Sequence, residues 1–287
     1  MKVSGLKEAI SCIKPGSKVA FGGDALHRVP VAAVREIIEQ KKELGLITAA
    51  GSLEADALCA AGLAKHITFA YVGYENFGTA RFFRQAIEHK TAQICAHTGS
   101  SLSTGLRAAA LGLSFMPLPP TDDWPEHIDH RWQPVRDPYN GQTYPAIPAL
   151  APDWSIIHVQ QADILGNARI YGSKFEDLLL AKAARHVLVT CEELLPAYAF
   201  ADQPETVDIS GSIVDSVVYA PRGAWPTACY EHYSADENKI KEIITLQRPV
   251  ELLAWLNNLP PINDRSPVLE TPLAKEHLQG TGANKVV

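Results

Sequence analysis

Residues 19–38 read Val19-Ala20-Phe21-Gly22-Gly23-Asp24-Ala25-Leu26-His27-Arg28-Val29-Pro30-Val31-Ala32-Ala33-Val34-Arg35-Glu36-Ile37-Ile38, and this stretch decides the fold class. Val19-Ala20-Phe21 is a short apolar run closed by Gly22-Gly23, the pattern of a buried strand that meets a turn. Pro30 then offers a first helical position. Val31, Val34, Ile37 and Ile38 recur at helical spacing with Arg35, Glu36, Glu39 and Gln40 between them. An amphipathic helix that stops near Leu44-Gly45 is expected. Strand, glycine turn and helix together make the unit of an α/β fold.

Working outward, the unit recurs. Upstream, Leu6 to Ile13 reads as a short helix. Downstream, Leu46 to Ala50 is a strand ending at Gly51, Glu54 to Ala61 a helix, Ile67 to Val72 a strand ending at Gly73, and Ala80 to His89 a helix. Ala92 to Cys95 reads as a strand, Leu102 to Leu111 as a helix and Leu113 to Met116 as another strand. The alternation predicts a three-layer α/β/α architecture around an open, mostly parallel sheet.

From Pro117 to Pro152 the texture becomes Pro-rich and aromatic. Pro119-Pro120, Pro125, Pro134, Pro138, Pro145 and Pro148 argue against a long helix or a central strand. A stretch of that length inside one domain is expected to be an ordered excursion near the site or at an interface, with a turn at Asp137-Pro138-Tyr139-Asn140-Gly141. The alternation then resumes. Trp154 to Gln160 reads as a strand, Asp163 to Asn167 as a turn, Ala168 to Tyr171 as a short strand, Glu176 to Ala184 as a helix and His186 to Thr190 as a strand. Gly223 to Tyr233 is irregular, and a final helix covers Glu237 to Leu246. Residues 1–250 are expected to form one domain and 251–287 a C-terminal extension, disordered at Gln279 to Asn284.

The 26 Lys and Arg against 32 Asp and Glu give a formal net charge of −6, which argues against binding nucleic acid or an anionic membrane. No apolar run reaches the length of a membrane span, and Met1 to Glu8 lacks the apolar core of a secretory signal. A cytoplasmic location is expected. Cys12, Cys59, Cys95, Cys191 and Cys229 are odd in number and scattered, the pattern of buried reduced thiols rather than of a disulfide framework.

No dinucleotide fingerprint, phosphate-loop spacing or hydrolase serine elbow occurs. His127 and His130 around Asp129 fit a solvated loop better than a metal site, because the nearby prolines weaken the helix that would align them. No metal is expected. His158, in the apolar run Ile156 to Val159, fits a hydrogen-bonded core histidine. Glu75 follows a buried strand, at the edge where open α/β sheets bind ligands. There it could orient a loop, cap a helix or take part in proton transfer. On these grounds alone the chain is an α/β enzyme with a site at the strand ends near Gly22, Gly51, Gly73 and His97 to Ser101.

The same segments, taken in order, resemble the A (alpha) subunit of family I CoA-transferases, most closely the glutaconate CoA-transferase type. The stretches that carry the resemblance begin with Pro15 to Gly23 and Arg28-Val29-Pro30, then Phe69 to Glu75 and Leu106 to Pro117. It continues through Pro148 to Asp153, Ile157 to Asp163, Gly166-Asn167, Val189 to Glu193, Gly223 to Pro226 and Tyr230. The resemblance implies a CoA-transferase alpha chain that forms a heteromer with a B (beta) subunit. The substrates would be a coenzyme A thioester and a carboxylic acid, with no covalently bound cofactor. It implies covalent catalysis by a glutamate in a Ser-Glu-Asn-Gly motif of the beta chain, a motif this chain lacks, assisted by an oxyanion hole. Glu75 is the catalytic candidate on this chain. Gly22, Gly23, Gly51, Ser52, Gly73, His97, Ser100 and Ser101 are the substrate-binding candidates.

One departure from the family pattern matters. Relatives often carry Gln or Glu just before a Gly-Thr-Leu-like helix start, where this chain reads His97-Thr98-Gly99-Ser100-Ser101-Leu102, with Gly99 at that position. Ser100, Ser101 or His97 would then substitute, or the pocket would admit a larger acyl group. Two alternatives accompany the transferase reading. One is an acyl-CoA hydrolase or carbon–carbon cleaving enzyme, ring-opening or decarboxylating, on the same scaffold; the other is a non-catalytic binding chain.

Overall fold

In the structure, a computed structural model that describes residues 2–119 and 132–262, the expected unit appears at residue 18. Strand β1 (Lys18–Phe21) ends at Gly22, and helix α2 (Val31–Glu39) follows helix α1 (Leu6–Ser11) in the chain. The turn between β1 and α2 is held in an unusual shape: Gly23, Ala25 and Arg28 all take left-handed backbone angles, which cost a side-chain-bearing residue free energy unless its surroundings impose them. Helix α2 stops at Glu39, earlier than expected. Left-handed Lys41 ends it, and Leu44-Gly45 instead opens the next strand, β2 (Leu44–Gly51).

The chain continues through α3 (Leu53–Ala60), β3 (Ala64–Val72), α4 (Arg81–Glu88), β4 (Gln93–Ala96) and α5 (Gly99–Ala110). The Pro-rich excursion holds β5 (Phe115–Pro117), β6 (Gln133–Arg136) and β7 (Thr143–Pro148). After it come β8 (Trp154–Asp163), the short β9 (Ala168–Arg169), α6 (Asp177–Ala183), β10 (His186–Leu195) and β11 (Ser216–Tyr219). The main sheet has the order β11-β10-β8-β1-β2-β3-β4. Every neighbouring pair is parallel, and β9 alone runs antiparallel beside β8. The α/β/α expectation therefore holds. Alternate strand residues feed two cores. Val19, Phe21, Leu46, Ile156 and Leu188 face α1 to α4, while Ala20, Ile47, Ile157, Val187 and Val189 face α5 and α6. Leu102 and Leu106, one helical turn apart on α5, are fully buried in the second core, and truncating either to Ala is worth about 2–5 kcal/mol.

The excursion departs from expectation. Its described parts form a separate three-stranded antiparallel sheet, with β7 between β5 and β6. So Phe115-Met116 is not a strand of the main sheet, and two prolines do sit in a central strand. The physical reason is position: Pro145 lies opposite Pro134, a pair that exchanges no hydrogen bond, its carbonyl still accepts the Leu118 N–H at 2.9 Å, and Pro148 is the last residue of β7. The turn at Asp137 to Gly141 joins β6 to β7 as expected. His127, Asp129 and His130 lie outside the described residues, as does the tail from residue 263.

A second helix beyond α7 (Glu237–Thr245), α8 (Pro249–Asn257), goes beyond the sequence expectation. Its signal is local: Pro249 occupies the first turn and Glu251 accepts the Gln247 and Arg248 N–H groups at 2.9 and 3.0 Å. Leu252 and Leu256 carry it into the first core. Among the described residues no helix is long and apolar enough to cross a membrane.

Candidate active site

The strand order reverses at one place. From β1 the chain steps outward through β2, β3 and β4, then returns to lay β8 on the other flank of β1 and steps away through β10 and β11. The carboxyl ends of β1 and β8 thus frame the topological switch point, where open α/β sheets bind ligands. Backbone strain concentrates along the same edge. Among the described residues, seven of the nine non-glycine positions with left-handed angles, Ala25, Arg28, Glu75, Phe175, Tyr198, Arg222 and Glu231, lie in its loops; the other two, Lys41 and Lys90, close helices.

A buried ion pair fills the switch point from within. Arg28, 2% exposed, places Nη2 2.6 Å from Asp177 Oδ2. Its guanidinium also donates to the His158 carbonyl at 3.1 Å and the Ser173 carbonyl at 2.8 Å. Asp177 Oδ1 accepts the Gly23 N–H at 2.8 Å, so the pair ties β1's loop to β8 and to the start of α6. Glycine at 22 is a packing requirement, because a Cβ there would overlap Asp177 Oδ1 and Ile157.

Across β10 the irregular segment after β11 is pinned by a second buried network. His158 Nε2 meets Glu192 Oε1 at 2.8 Å and Nδ1 meets Thr190 Oγ1 at 2.8 Å. Tyr233 Oη donates to Glu192 Oε1, and the Arg222 N–H donates to Oε2 at 2.6 Å. Burial would raise the Glu192 carboxyl, yet the His158, Tyr233 and Arg222 donors outweigh it and hold the group below its ordinary value. His158 is thus the core histidine the sequence suggests. With Glu192 and Cys229 it forms a group whose ligand atoms fall within 4.8 Å of one another. Hydrogen bonds already engage its two ring nitrogens and both oxygens of Glu192, and burial pushes the Cys229 thiol up to about 12, away from the thiolate a metal requires.

On the other flank the loops after β1, β2 and β3 are stitched together. Ala25 N–H donates to Ala50 O at 2.7 Å, Ser52 Oγ to Ala25 O at 2.5 Å, and Gly73 N–H to Gly51 O at 2.9 Å. Glu54, fully buried at the start of α3, accepts the Ser52 N–H and the Thr48 hydroxyl, each at 3.0 Å. Burial dominates its titration and lifts it to about 7. Asp56 receives the Phe82 and Phe83 N–H groups at 2.7 and 3.0 Å, and so caps α4 from α3. Glu75 is exposed in a left-handed turn, with its N–H on Tyr71 Oη at 3.2 Å. Its charge reaches Asp24, whose carboxyl is raised by burial first and by Glu75 and Asp177 among its neighbours.

At the end of β4, Thr98 caps α5 and forms a reciprocal box with Ser101. Among the described residues the N–H groups of Gly99 and Ser100 meet no acceptor, and nothing lies within 4 Å of where a Gly99 side chain would begin. Among the described residues, then, nothing covers the positive end of this twelve-residue helix at the ligand edge.

The nine residues singled out from sequence thus fall into two groups on one edge. Gly22, Gly23, Gly51, Ser52, Gly73 and Glu75 belong to the stitched loops; His97, Ser100 and Ser101 surround the α5 start. The N–H groups of Gly22, Gly23, Ser52 and Gly73 are all used inside the chain. Ser52 and Ser101 are completely buried. Sequence reasoning missed Asp24, Glu54, Asp177 and Glu192. Only Asp24 carried a signal, its place directly after the paired glycines. The expectation of buried thiols holds for Cys191 and Cys229, whereas Cys12 is exposed and Cys59 and Cys95 are half-buried. Cys12 stands at the C-cap of α1, on the side turned away from the core.

Known proteins resemble this chain in sequence and fold. The Coenzyme A transferase family matches residues 3–220. The A chain of glutaconate CoA-transferase from Acidaminococcus fermentans is 34% identical over 261 residues, which is 84% of this chain and 81% of that one. The crystal structure of the glutaconate enzyme superposes with a TM-score of 0.83 at 30% identity, covering 99% of this chain and 93% of that one. The decarboxylase AibA/AibB superposes with a TM-score of 0.80 at 31% identity, covering 90% and 99%. An uncharacterized protein of Archaeoglobus fulgidus is 35% identical over 87% of this chain, which spans 57% of that relative's length. A switch-point site on a parallel sheet, matched over most of the chain to the alpha chain of such an enzyme, establishes that the chain belongs to the coenzyme A transferase family.

Proposed function

We propose that the chain is the alpha component of a heteromeric CoA-transferase that moves CoA between an acyl-CoA thioester and a carboxylic acid, with a beta chain supplying the attacking glutamate. The start of α5, whose first two N–H groups meet no acceptor among the described residues, carries this reading. When a carboxylate attacks a thioester carbonyl, charge gathers on the carbonyl oxygen, and prearranged N–H groups at a helix start stabilise it without reorganisation. The Gly99 and Ser100 N–H groups fit that role. Ser101 and Thr98 hold them in place, and the Gly22, Gly51 and Gly73 loops act as the wall beside them. Glu75 stands at the rim, where it would orient the acid or carry a proton. The relatives' activities support a coenzyme A thioester as the substrate at this edge, and the domain of residues 1–250, with α8 packed into its first core, would work in the cytoplasm.

Gly99 supports a second reading, in which the pocket serves a carbon–carbon cleaving or hydrolytic member of the family, since the decarboxylase AibA/AibB shares the fold. The two separate in one experiment: co-expression with a beta chain that carries Ser-Glu-Asn-Gly, addition of a panel of acyl-CoAs, and mass-resolved detection of a glutamyl-CoA thioester. An adduct on the partner that requires this chain is the expected result. CoA or carbon dioxide released at a catalytic rate with no adduct and no dependence on an acceptor acid would replace the transferase reading.

Gly99→Leu gives a further prediction. The space is open, so stability is expected to change by less than about 1 kcal/mol. The side chain would occupy the acyl site, and kcat/KM should fall at least about tenfold for branched or cyclic acyl groups, with a smaller loss for acetyl. Equal kinetics for all acyl groups would remove Gly99 from the pocket.

A further inference from the structure

Asp24 stands apart from the buried carboxyls of the ligand edge. Asp177, Glu192, Glu54 and Asp56 each accept two or more hydrogen bonds from within the chain. Asp24 follows the paired glycines at the end of β1 and is half-buried, yet among the described residues its carboxyl accepts no hydrogen bond and meets no cation within salt-bridge distance. Its backbone is tightly held. The Asp24 N–H donates to the His27 carbonyl and the His27 N–H to the Asp24 carbonyl, each at 2.8 Å, and left-handed Gly23 and Ala25 set the turn. A rigid loop thus presents an unanswered acceptor at the topological switch point, and a partly desolvated acceptor of this kind is stabilised by a donor that a ligand brings. The surrounding charge narrows which ligand fits. Burial raises the Asp24 carboxyl most, Glu75 and Asp177 push it the same way, and His27 and Arg28 draw it down. Arg28 and Asp177 offset one another, since they pair at 2.6 Å, and the exposed His27 ring bonds to neither Asp24 nor Glu75. Two carboxyls without a bonded cation remain. They would repel a second carboxylate on a ligand and hold a hydroxyl or ammonium group.

We propose that Asp24 is a specificity-determining residue that accepts a hydrogen bond from a hydroxyl or ammonium group on the acyl chain, so that donor-bearing acyl-CoA thioesters are taken ahead of plain ones and those ending in a second carboxylate are refused. The contact makes and breaks no covalent bond. The proposal rests on the reading that an acyl-CoA binds at this edge, and it adds to that reading the chemical class of the acyl group.

The test uses the full complex of alpha and beta chains and two matched series of CoA thioesters. The shorter holds propionyl-, 3-hydroxypropionyl-, β-alanyl- and malonyl-CoA, and the longer hexanoyl-, 6-hydroxyhexanoyl-, 6-aminohexanoyl- and adipyl-CoA. In at least one series, kcat/KM for CoA leaving the thioester should favour the hydroxyl or ammonium member over the plain one by at least about tenfold, with the carboxylate member lowest. Asp24→Ala should bring the donor-bearing and plain members together. Asp24→Asn keeps an acceptor and loses the charge, so it should retain part of the donor preference and admit the carboxylate member. The carboxyl bonds to nothing else in the chain, so both variants should unfold at the wild-type midpoint, which separates a lost preference from a folding defect. No donor preference in either series, or a preference that survives Asp24→Ala, overturns the proposal. Detection of the glutamyl-CoA thioester in the same reactions keeps the two readings apart. An adduct formed equally from all members leaves the transferase standing and removes the Asp24 role. CoA release without an adduct, with a donor preference that Asp24→Ala abolishes, does the reverse. Where turnover is absent, isothermal titration with the same thioesters reads the same ratios as affinities.

Discussion

Asp177→Ala is expected to lower the unfolding free energy by about 3–5 kcal/mol, the cost of stranding one member of a buried ion pair. Arg28 is 2% exposed and Asp177 fully buried, so water cannot take over the role of the lost carboxylate. The substitution also releases the Gly23 N–H and with it the left-handed turn of Gly23, Ala25 and Arg28. Asp177→Asn keeps an acceptor for Gly23 and should cost less than the alanine variant. Denaturant unfolding followed by far-UV circular dichroism reads both. A loss below about 1 kcal/mol for Asp177→Ala would mean that the guanidinium finds solvent and that the pair does not hold the switch point.

Glu54→Gln should change how stability depends on pH. The Glu54 carboxyl is lifted from 4.5 to about 7, mainly by burial, so the folded state holds a proton that the unfolded state has lost over that range. The sign follows directly: with more protons bound in the folded state, stability falls as pH rises through the window and is fullest below it. For one group displaced that far the loss amounts to about 3 kcal/mol. Asp56, lifted by burial to about 6, adds a decline in the lower part of the window. Glu192, held below its ordinary value, acts below the window and in the opposite sense, so its contribution disappears only in acid. Unfolding midpoints from pH 5 to pH 8 should therefore decline in the wild type and decline markedly less in Glu54→Gln. Parallel profiles would show that Glu54 is ionised throughout, held by the Ser52 N–H and Thr48 hydroxyl.

Much of the architecture is legible in the sequence because period and punctuation are local. Val19 to Phe21, Leu46 to Ala50 and Ile67 to Val72 are apolar runs closed by glycine. A strand covered on both faces has to look like that. The helices whose stripe faces a core, such as α2 and α4, are legible for the same reason. Errors arise where a residue type has two uses. Gly45 looks like a helix stop but lies inside β2, since Lys41 adopts the left-handed angle instead. Pro145 looks like a strand breaker but sits opposite Pro134 in β7. Helix α8 is hidden because Pro249 resembles punctuation when it marks a first helical turn.

The site is legible in part. Residues such as Gly51, Gly73 and His97 stand out because each follows a strand, and strand ends gather on one edge of a parallel sheet. The chain's local pattern was enough for the layer architecture, the edge on which the loops collect and the likeness to CoA-transferase alpha chains. Only the tertiary structure decided what each loop residue does there. Asp177 meets Arg28 across 149 positions, Glu192 meets His158 across 34, and Ser52 reaches Ala25 across 27. Partnerships over such separations leave no periodicity in the chain, because hydrogen bonds and ion pairs depend on distance in space, and that distance exists only after the sheet order has been set.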